Sequence, residues 1–172
     1  QLYEQPDPRL LFHDNYAFFA ETSKYMQKHF EDLSQELIDR FKLNSRDLVT
    51  EIGSNDGGVI YYLLANHNHQ NHVGIEPSKN VFERSQSKGL KMENIFFNNL
   101  NSNKIKDKFG VCKFFISLNT LAHIPDINSV FEGIYNLLDK EGIFITEDPY
   151  LFDIFDKTSY DQIYDEHVFI FS

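Results

Sequence analysis

The sequence predicts an α/β domain built on a parallel sheet, and two observations predict it. From Asp47 onward, five short apolar runs alternate with segments of helical pattern, an order that right-handed crossovers turn into parallel neighbours. One run, Cys112-Lys113-Phe114-Phe115-Ile116, has almost no polar alternation, as a strand covered on both faces should. The 172 residues suffice for one domain with a sizeable core, and 41% hydrophobic with 24% charged residues is an ordinary globular balance.

The elements follow in order. Gln1 to Asn15 is polar, carries Pro6 and Pro8, and reads as an irregular lead-in. Over residues 22–42, Tyr25, Met26, Phe30, Leu33, Leu37, Ile38 and Phe41 fall on a helical stripe, with Thr22 or Ser23 as N-cap. Residues 1–46 are thus expected to form a helical lead-in. Strands are expected at Leu48–Ile52, His72–Ile75, Ile95–Phe97, Val111–Leu118 and Gly142–Thr146, with the run from Cys112 to Ile116 at the centre. Helices are expected near 57–66, 79–88, 101–107 and 126–139, and the Asn-rich patches at 66–71 and 98–103 read as loops. Residues 47–150 make the sheet domain and 151–172 start a further segment. Because the chain begins with Gln1 and stops inside the apolar run Val168–Phe171, it reads as a cut piece of something longer.

Composition excludes several roles. The net charge of −10 is poorly suited to tracking a nucleic-acid backbone, which needs clustered Lys and Arg. No apolar stretch is long enough to span a membrane. The single cysteine, Cys112, cannot form an internal disulfide and fits a reducing, cytoplasmic setting; it reads as a buried structural thiol. Seven of the acids lie between Glu147 and Glu166 against one Lys157, so that stretch is either a solvated face or a wall turned to a cationic ligand. His67, His69 and His72 lack a Cys or acid partner and read as a solvated loop rather than a metal site. His123 either lines a site or packs before Pro125.

Two segments carry chemistry. Glu51-Ile-Gly-Ser-Asn-Asp-Gly57 follows the first strand and opens a helix, where a glycine lets backbone approach a ligand. A dinucleotide fingerprint wants G-x-G-x-x-G, and the frame here holds Gly53, Asn55 and Gly58, so its middle glycine is missing. That speaks against a nicotinamide oxidoreductase. Gly74-Ile-Glu-Pro-Ser78 ends the second strand, and an acid there, 19 residues past Gly57, can accept bonds from both hydroxyls of a ribose.

Together these segments resemble the S-adenosylmethionine methyltransferases. The ordered series Glu51–Gly57, Gly74–Ser78, Phe96-Phe97, Asn119-Thr-Leu-Ala-His-Ile-Pro-Asp126, Glu147-Asp-Pro-Tyr-Leu151 and Asp161-Gln-Ile-Tyr-Asp-Glu-His167, with Asn15-Tyr-Ala-Phe-Phe19 upstream, resembles the C-methyltransferases of nucleotide-linked deoxysugars. The resemblance implies a Rossmann-like fold with sheet order 3-2-1-4-5. It implies that Gly53, Ser54, Asn55 and Gly57 shape the methionine and ribose side of the cofactor pocket and that Glu76 holds the ribose. Pro77 would lie under the adenine, Phe97 and Asn98 would border it, and Asn119 would face the methionine end. It implies His167 as general base, oriented by Glu166, with Tyr164 and Tyr16 near the substrate. S-adenosylmethionine would be the cofactor, S-adenosylhomocysteine the product, and a small molecule such as a sugar nucleotide the substrate, with no metal in this portion. Three positions depart from the family pattern: Asp165 replaces a histidine, Ile170 a tyrosine, and Phe18 the second tyrosine of the upstream motif. Those departures keep a second reading open, a cofactor-binding module without turnover. The family's cysteine-rich zinc-binding domain and its C-terminal domain are not represented.

Overall fold

The computed structural model describes residues 2–164 and 166–172. Asp165, one of the departures from the family pattern, lies outside them. The lead-in is not wholly irregular: Asp7 caps a one-turn helix, α1 (Pro8–Leu11), through the Arg9 N–H. A short turn at Ala20–Thr22 leads to α2 (Lys24–Asp39), which Ser23 caps by accepting the Met26 N–H. α2 buries Phe30, Ser34 and Leu37, whereas Tyr25, counted in the stripe, is exposed on the first turn.

The sheet then builds as β1 (Val49–Ile52), α3 (Gly58–His67), β2 (His72–Ile75), α4 (Lys79–Ser87), β3 (Met92–Glu93), α5 (Asn99–Phe109), β4 (Cys112–Leu118), α6 (Ile127–Leu137), β5 (Leu138–Glu147) and α7 (Leu151–Asp156). All pairings are parallel and the order is β3-β2-β1-β4-β5. The expected order 3-2-1-4-5 is therefore the observed one. The chain reverses its direction of travel between β1 and β4, so a cleft opens beyond their carboxyl ends.

Three expectations need correction. The middle strand is β1, not β4; Thr50 and Glu51 disguise it as polar although all four of its residues are buried. The third strand is Met92–Glu93, and Ile95-Phe96-Phe97 is the loop after it, apolar because Phe97 packs on Phe115, ring centroids 5.4 Å apart. The Asn-rich patch at 98–103 is the start of α5, where Asn98 and Asn101 each accept the other's backbone N–H.

Alternation along the inner strands divides the core. Val49, Phe114 and Ile116 face α2 and α3 with Leu37, Val59 and Leu63. Ile52, Ile75 and Phe115 face α5 and α6 with Ile105, Val130, Ile134 and Leu137. Both faces of the sheet are covered, as a parallel sheet requires. Among the described residues no helix is long and apolar enough to cross a membrane.

Candidate active site

The turn after β1 takes its shape from fixed demands. Gly53 has φ +59°, and a Cβ there would fall on Thr120 Oγ1 and 2.7 Å from Thr120 Cγ2. The glycine is demanded first by the neighbouring strand end, not by a ligand. Glu51 is fully buried, and its two oxygens accept the N–H groups of Val59 (3.2 Å) and Ile60 (3.1 Å). It thereby caps the first turn of α3, a task that Gly57, the N-cap residue, has no side chain to perform. Burial pushes the Glu51 carboxyl up to about 8 against those two bonds.

Gly57 does not border the cleft. Its Cβ position, at φ +139°, meets Tyr61 and Leu90, and Gly58 lines the cleft in its place. Ser54 lines the cleft, while its Oγ sits over Gly74, buried and without a hydrogen-bond partner among the described residues. Asn55 adopts a left-handed conformation, φ +49°, which its short amide side chain tolerates.

Glu76 directly follows β2 and is 4% exposed. One oxygen accepts the Asn55 N–H (3.1 Å) and the other the Ser78 N–H (2.8 Å), so each retains a lone pair. Burial raises its carboxyl above the usual range. Pro77, Ile95 and Phe97 form an apolar wall beside it. Asn98 lines the same wall, but its side chain is committed to capping α5. Asn119, at φ +49°, donates its N–H to the Glu147 carbonyl (2.6 Å) and borders the cleft beyond β4.

Two histidines, His123 and His167, also line the cleft. His167 is 8% exposed, and its Nδ1 lies 2.7 Å from the Gln162 carbonyl. A carbonyl only accepts, so Nδ1 carries the hydrogen and Nε2 of the neutral ring keeps its lone pair. This revises the role expected of Glu166. The Gln162 carbonyl holds His167, while the Glu166 backbone carbonyl holds His123 Nδ1 at 3.0 Å. The His123 and His167 rings lie 4.8 Å apart, and Tyr164 lies 4.2 Å from His167. Burial, and then His167, push His123 down to about 4.

Tyr16 enters from the lead-in. Asn80 on α4 accepts its N–H (3.1 Å) and donates to its carbonyl (2.8 Å). Burial first, then the charges of Glu166 and Glu76, push its phenol up to about 12, so it stays protonated. Of the departures, Phe18 lines the cleft, whereas Ile170 is not among the described lining residues.

Sequence reasoning assigned no role to Glu51, Gly58, Thr120 or Asp148. Asp148 accepts the Ala122 N–H (3.0 Å) and the Thr146 hydroxyl (2.8 Å), and so fixes the turn that carries His123. No local sequence signal marks Thr120, because its partner Gly53 is distant in the chain. The acidic stretch divides between both readings. Asp161 and Glu166 line the cleft, while Asp153 and Asp156 are exposed, Asp153 paired with Lys157. His69 and His72 do not lie in a solvated loop. Both are buried, with His69 Nε2 on the Asp47 and Asn71 carbonyls and His72 bridging the His69 carbonyl and the Lys91 N–H. Cys112 is fully buried, and burial pushes its thiol up to about 12.

Tyr16, Glu76, Asn119, His123, Tyr164, Glu166 and His167 border one cleft of about 1260 Å³. Residues 43–168 match a family described as a methyltransferase domain. The chain belongs to that family. This methyltransferase domain is 29% identical over 166 residues to the C-methyltransferase NovU of Streptomyces niveus, covering 96% of this chain and 39% of that protein. It therefore spans about two fifths of that relative's length. The fold is shared with a SAM-dependent methyltransferase from Anabaena variabilis (TM-score 0.60, 14% identity, 77% of this chain and 56% of that one). It is shared too with the plantazolicin methyltransferase BpumL, crystallised with a desmethyl analogue and S-adenosylhomocysteine (TM-score 0.62, 13% identity, 88% and 61%).

Proposed function

We propose that this domain binds S-adenosylmethionine and directs its methyl group to a carbon of a small molecule, a nucleotide-linked keto-deoxysugar. The observation that carries the proposal is the pairing, in one cleft, of a buried strand-end carboxylate with free lone pairs and a histidine whose bare nitrogen is Nε2. The residues present fit the cofactor. Glu76 has an acceptor for each ribose hydroxyl, Pro77, Ile95 and Phe97 offer an apolar wall for a purine, and cleft carboxylates favour a sulfonium cation. When bound, S-adenosylmethionine supplies an electrophilic methyl group.

The chain's own residues would make the acceptor carbon nucleophilic. His167 Nε2 takes a proton from the carbon beside a ketone; the Gln162 carbonyl holds the tautomer that makes this possible and stabilises the imidazolium that forms. Tyr16, kept protonated, donates a hydrogen bond to the oxygen on which charge develops. His123, held neutral, adds no cation to this side of the cleft.

Calorimetry with S-adenosylhomocysteine, and separately with NADH, tests the cofactor; heat with NADH and none with S-adenosylhomocysteine would overturn it. Proton exchange at the carbon of a keto sugar nucleotide, followed in heavy water with the complete protein, tests the base. His167→Ala should slow it by roughly 10²- to 10⁴-fold. Equal rates would remove His167 as base. The exposed phenyl ring of Phe18, where the family has a hydroxyl, favours one second reading, a cofactor-binding module without turnover. That reading expects wild-type protein to bind S-adenosylhomocysteine and exchange nothing.

A further inference from the structure

Asn55 is hydrogen-bonded both to Glu76 and to the lead-in segment. Its backbone N–H donates to Glu76, the acid proposed to hold the ribose, at 3.1 Å. Its side chain faces the other way, onto the lead-in segment. Oδ1 accepts the Ala20 N–H (2.9 Å) and the Asp56 N–H (2.9 Å), and Nδ2 donates to the Phe18 carbonyl (3.2 Å). Residues 16–21 form a strap, with Tyr16, Ala17, Phe18 and Ala20 closing one side of the cleft. The strap has few apolar anchors, since Ala20 is its sole fully buried residue and Phe18 is 53% exposed. Polar groups on the domain hold it instead: Asn80 at Tyr16, Asn55 at Phe18 and Ala20, and Asp56, Arg84 and Lys88 at Glu21.

We propose that Asn55 couples occupation of the cleft at Glu76 to docking of the strap, so that cofactor and the Tyr16-bearing strap bind cooperatively. The inference rests on the cofactor reading above and adds a mechanism of assembly to it. In the docked arrangement Asn55 is left-handed, φ +49°, and in that conformation its N–H reaches Glu76 while its side chain reaches the strap. A ligand bonded to Glu76 holds that conformation, and a docked strap holds it too, so each favours the other. Undocking frees the Ala20 N–H and the Phe18 carbonyl to water and removes Tyr16 from the site. Asn55 and Asn80 are therefore positioning residues for Tyr16.

The test uses the 172-residue chain, S-adenosylhomocysteine, and two variants. Asn55→Gly removes the side chain while tolerating the positive φ. Asn80→Ala releases Tyr16 at a residue that is not among those lining the cleft. Calorimetry should show each variant binding S-adenosylhomocysteine roughly 5- to 150-fold more weakly, the usual range for coupling between two sites. The double variant should bind no more weakly than the worse single one, because a strap already released has nothing further to lose. Hydrogen exchange followed by mass spectrometry should show ligand slowing exchange of the peptide covering residues 16–21 in the wild type, and no such slowing in Asn55→Gly. Strap exchange that ignores the ligand, wild-type affinity in Asn80→Ala, or additive losses would each overturn the coupling while leaving the cofactor reading standing. A wild-type chain that binds no S-adenosylhomocysteine would end both.

Discussion

Replacing Gly53 with alanine tests how the turn after β1 is built. Two penalties add. At φ +59° an L side chain costs about 1–2 kcal/mol. The new methyl group would also overlap the Thr120 hydroxyl and lie 2.7 Å from its methyl carbon, and forcing such overlap into packed structure costs about 1–3 kcal/mol. Thr120 cannot swing away freely, since its hydroxyl donates to the Leu118 carbonyl at 2.9 Å. Gly53→Ala should therefore destabilise by about 2–5 kcal/mol, a large share of the roughly 5–15 kcal/mol typical of a domain. The two penalties separate in a double-mutant cycle. In a Thr120→Ala background the two worst overlaps, with Oγ1 and Cγ2, are gone and Cβ alone remains, at 3.0 Å, so the alanine should then cost close to the backbone part, about 1–2 kcal/mol. Urea unfolding followed by circular dichroism gives all four stabilities. A Gly53→Ala protein within about 0.5 kcal/mol of wild type, or an equal loss in both backgrounds, would refute the claim that Thr120 makes the glycine necessary.

Two further outcomes follow from the site. Glu76→Ala removes a charged acceptor and leaves the Asn55 and Ser78 N–H groups unpaired; calorimetry should show S-adenosylhomocysteine binding weakened by about 1–3 kcal/mol, and unchanged affinity would remove Glu76 from the site. His123, held at about 4 in the fold against an ordinary value near 6.5, refuses a proton that the unfolded chain accepts. Stability should thus fall as pH drops from 6.5 to 4, by at most about 1.4 kcal/mol per pH unit from this group, and His123→Asn should flatten that part of the profile. Chemical unfolding at several pH values measures it, and an unchanged slope would refute the assignment.

Periodicity and alternation in the chain were enough to determine the parallel α/β class, the order of elements and the strand-end positions of Gly53 and Glu76. Those features are local: a helical stripe, an apolar run, a glycine turn and an acid before proline each announce themselves within a few residues. β1 and β3 were harder to read, because burial of Thr50 and Glu51 and exposure of Phe96 depend on neighbours far along the chain. The same reason hid the working parts of the site. Gly53 needs Thr120, Glu51 serves the N-terminus of α3, and the Gln162 carbonyl, a backbone atom with no sequence signature, sets the tautomer of His167. His69 and His72 look like a polar loop until their rings are seen bonded to backbone in the interior. Residue types name the chemistry a chain can offer, but which hydrogen-bond partner each side chain meets is a long-range contact that only the folded chain decides.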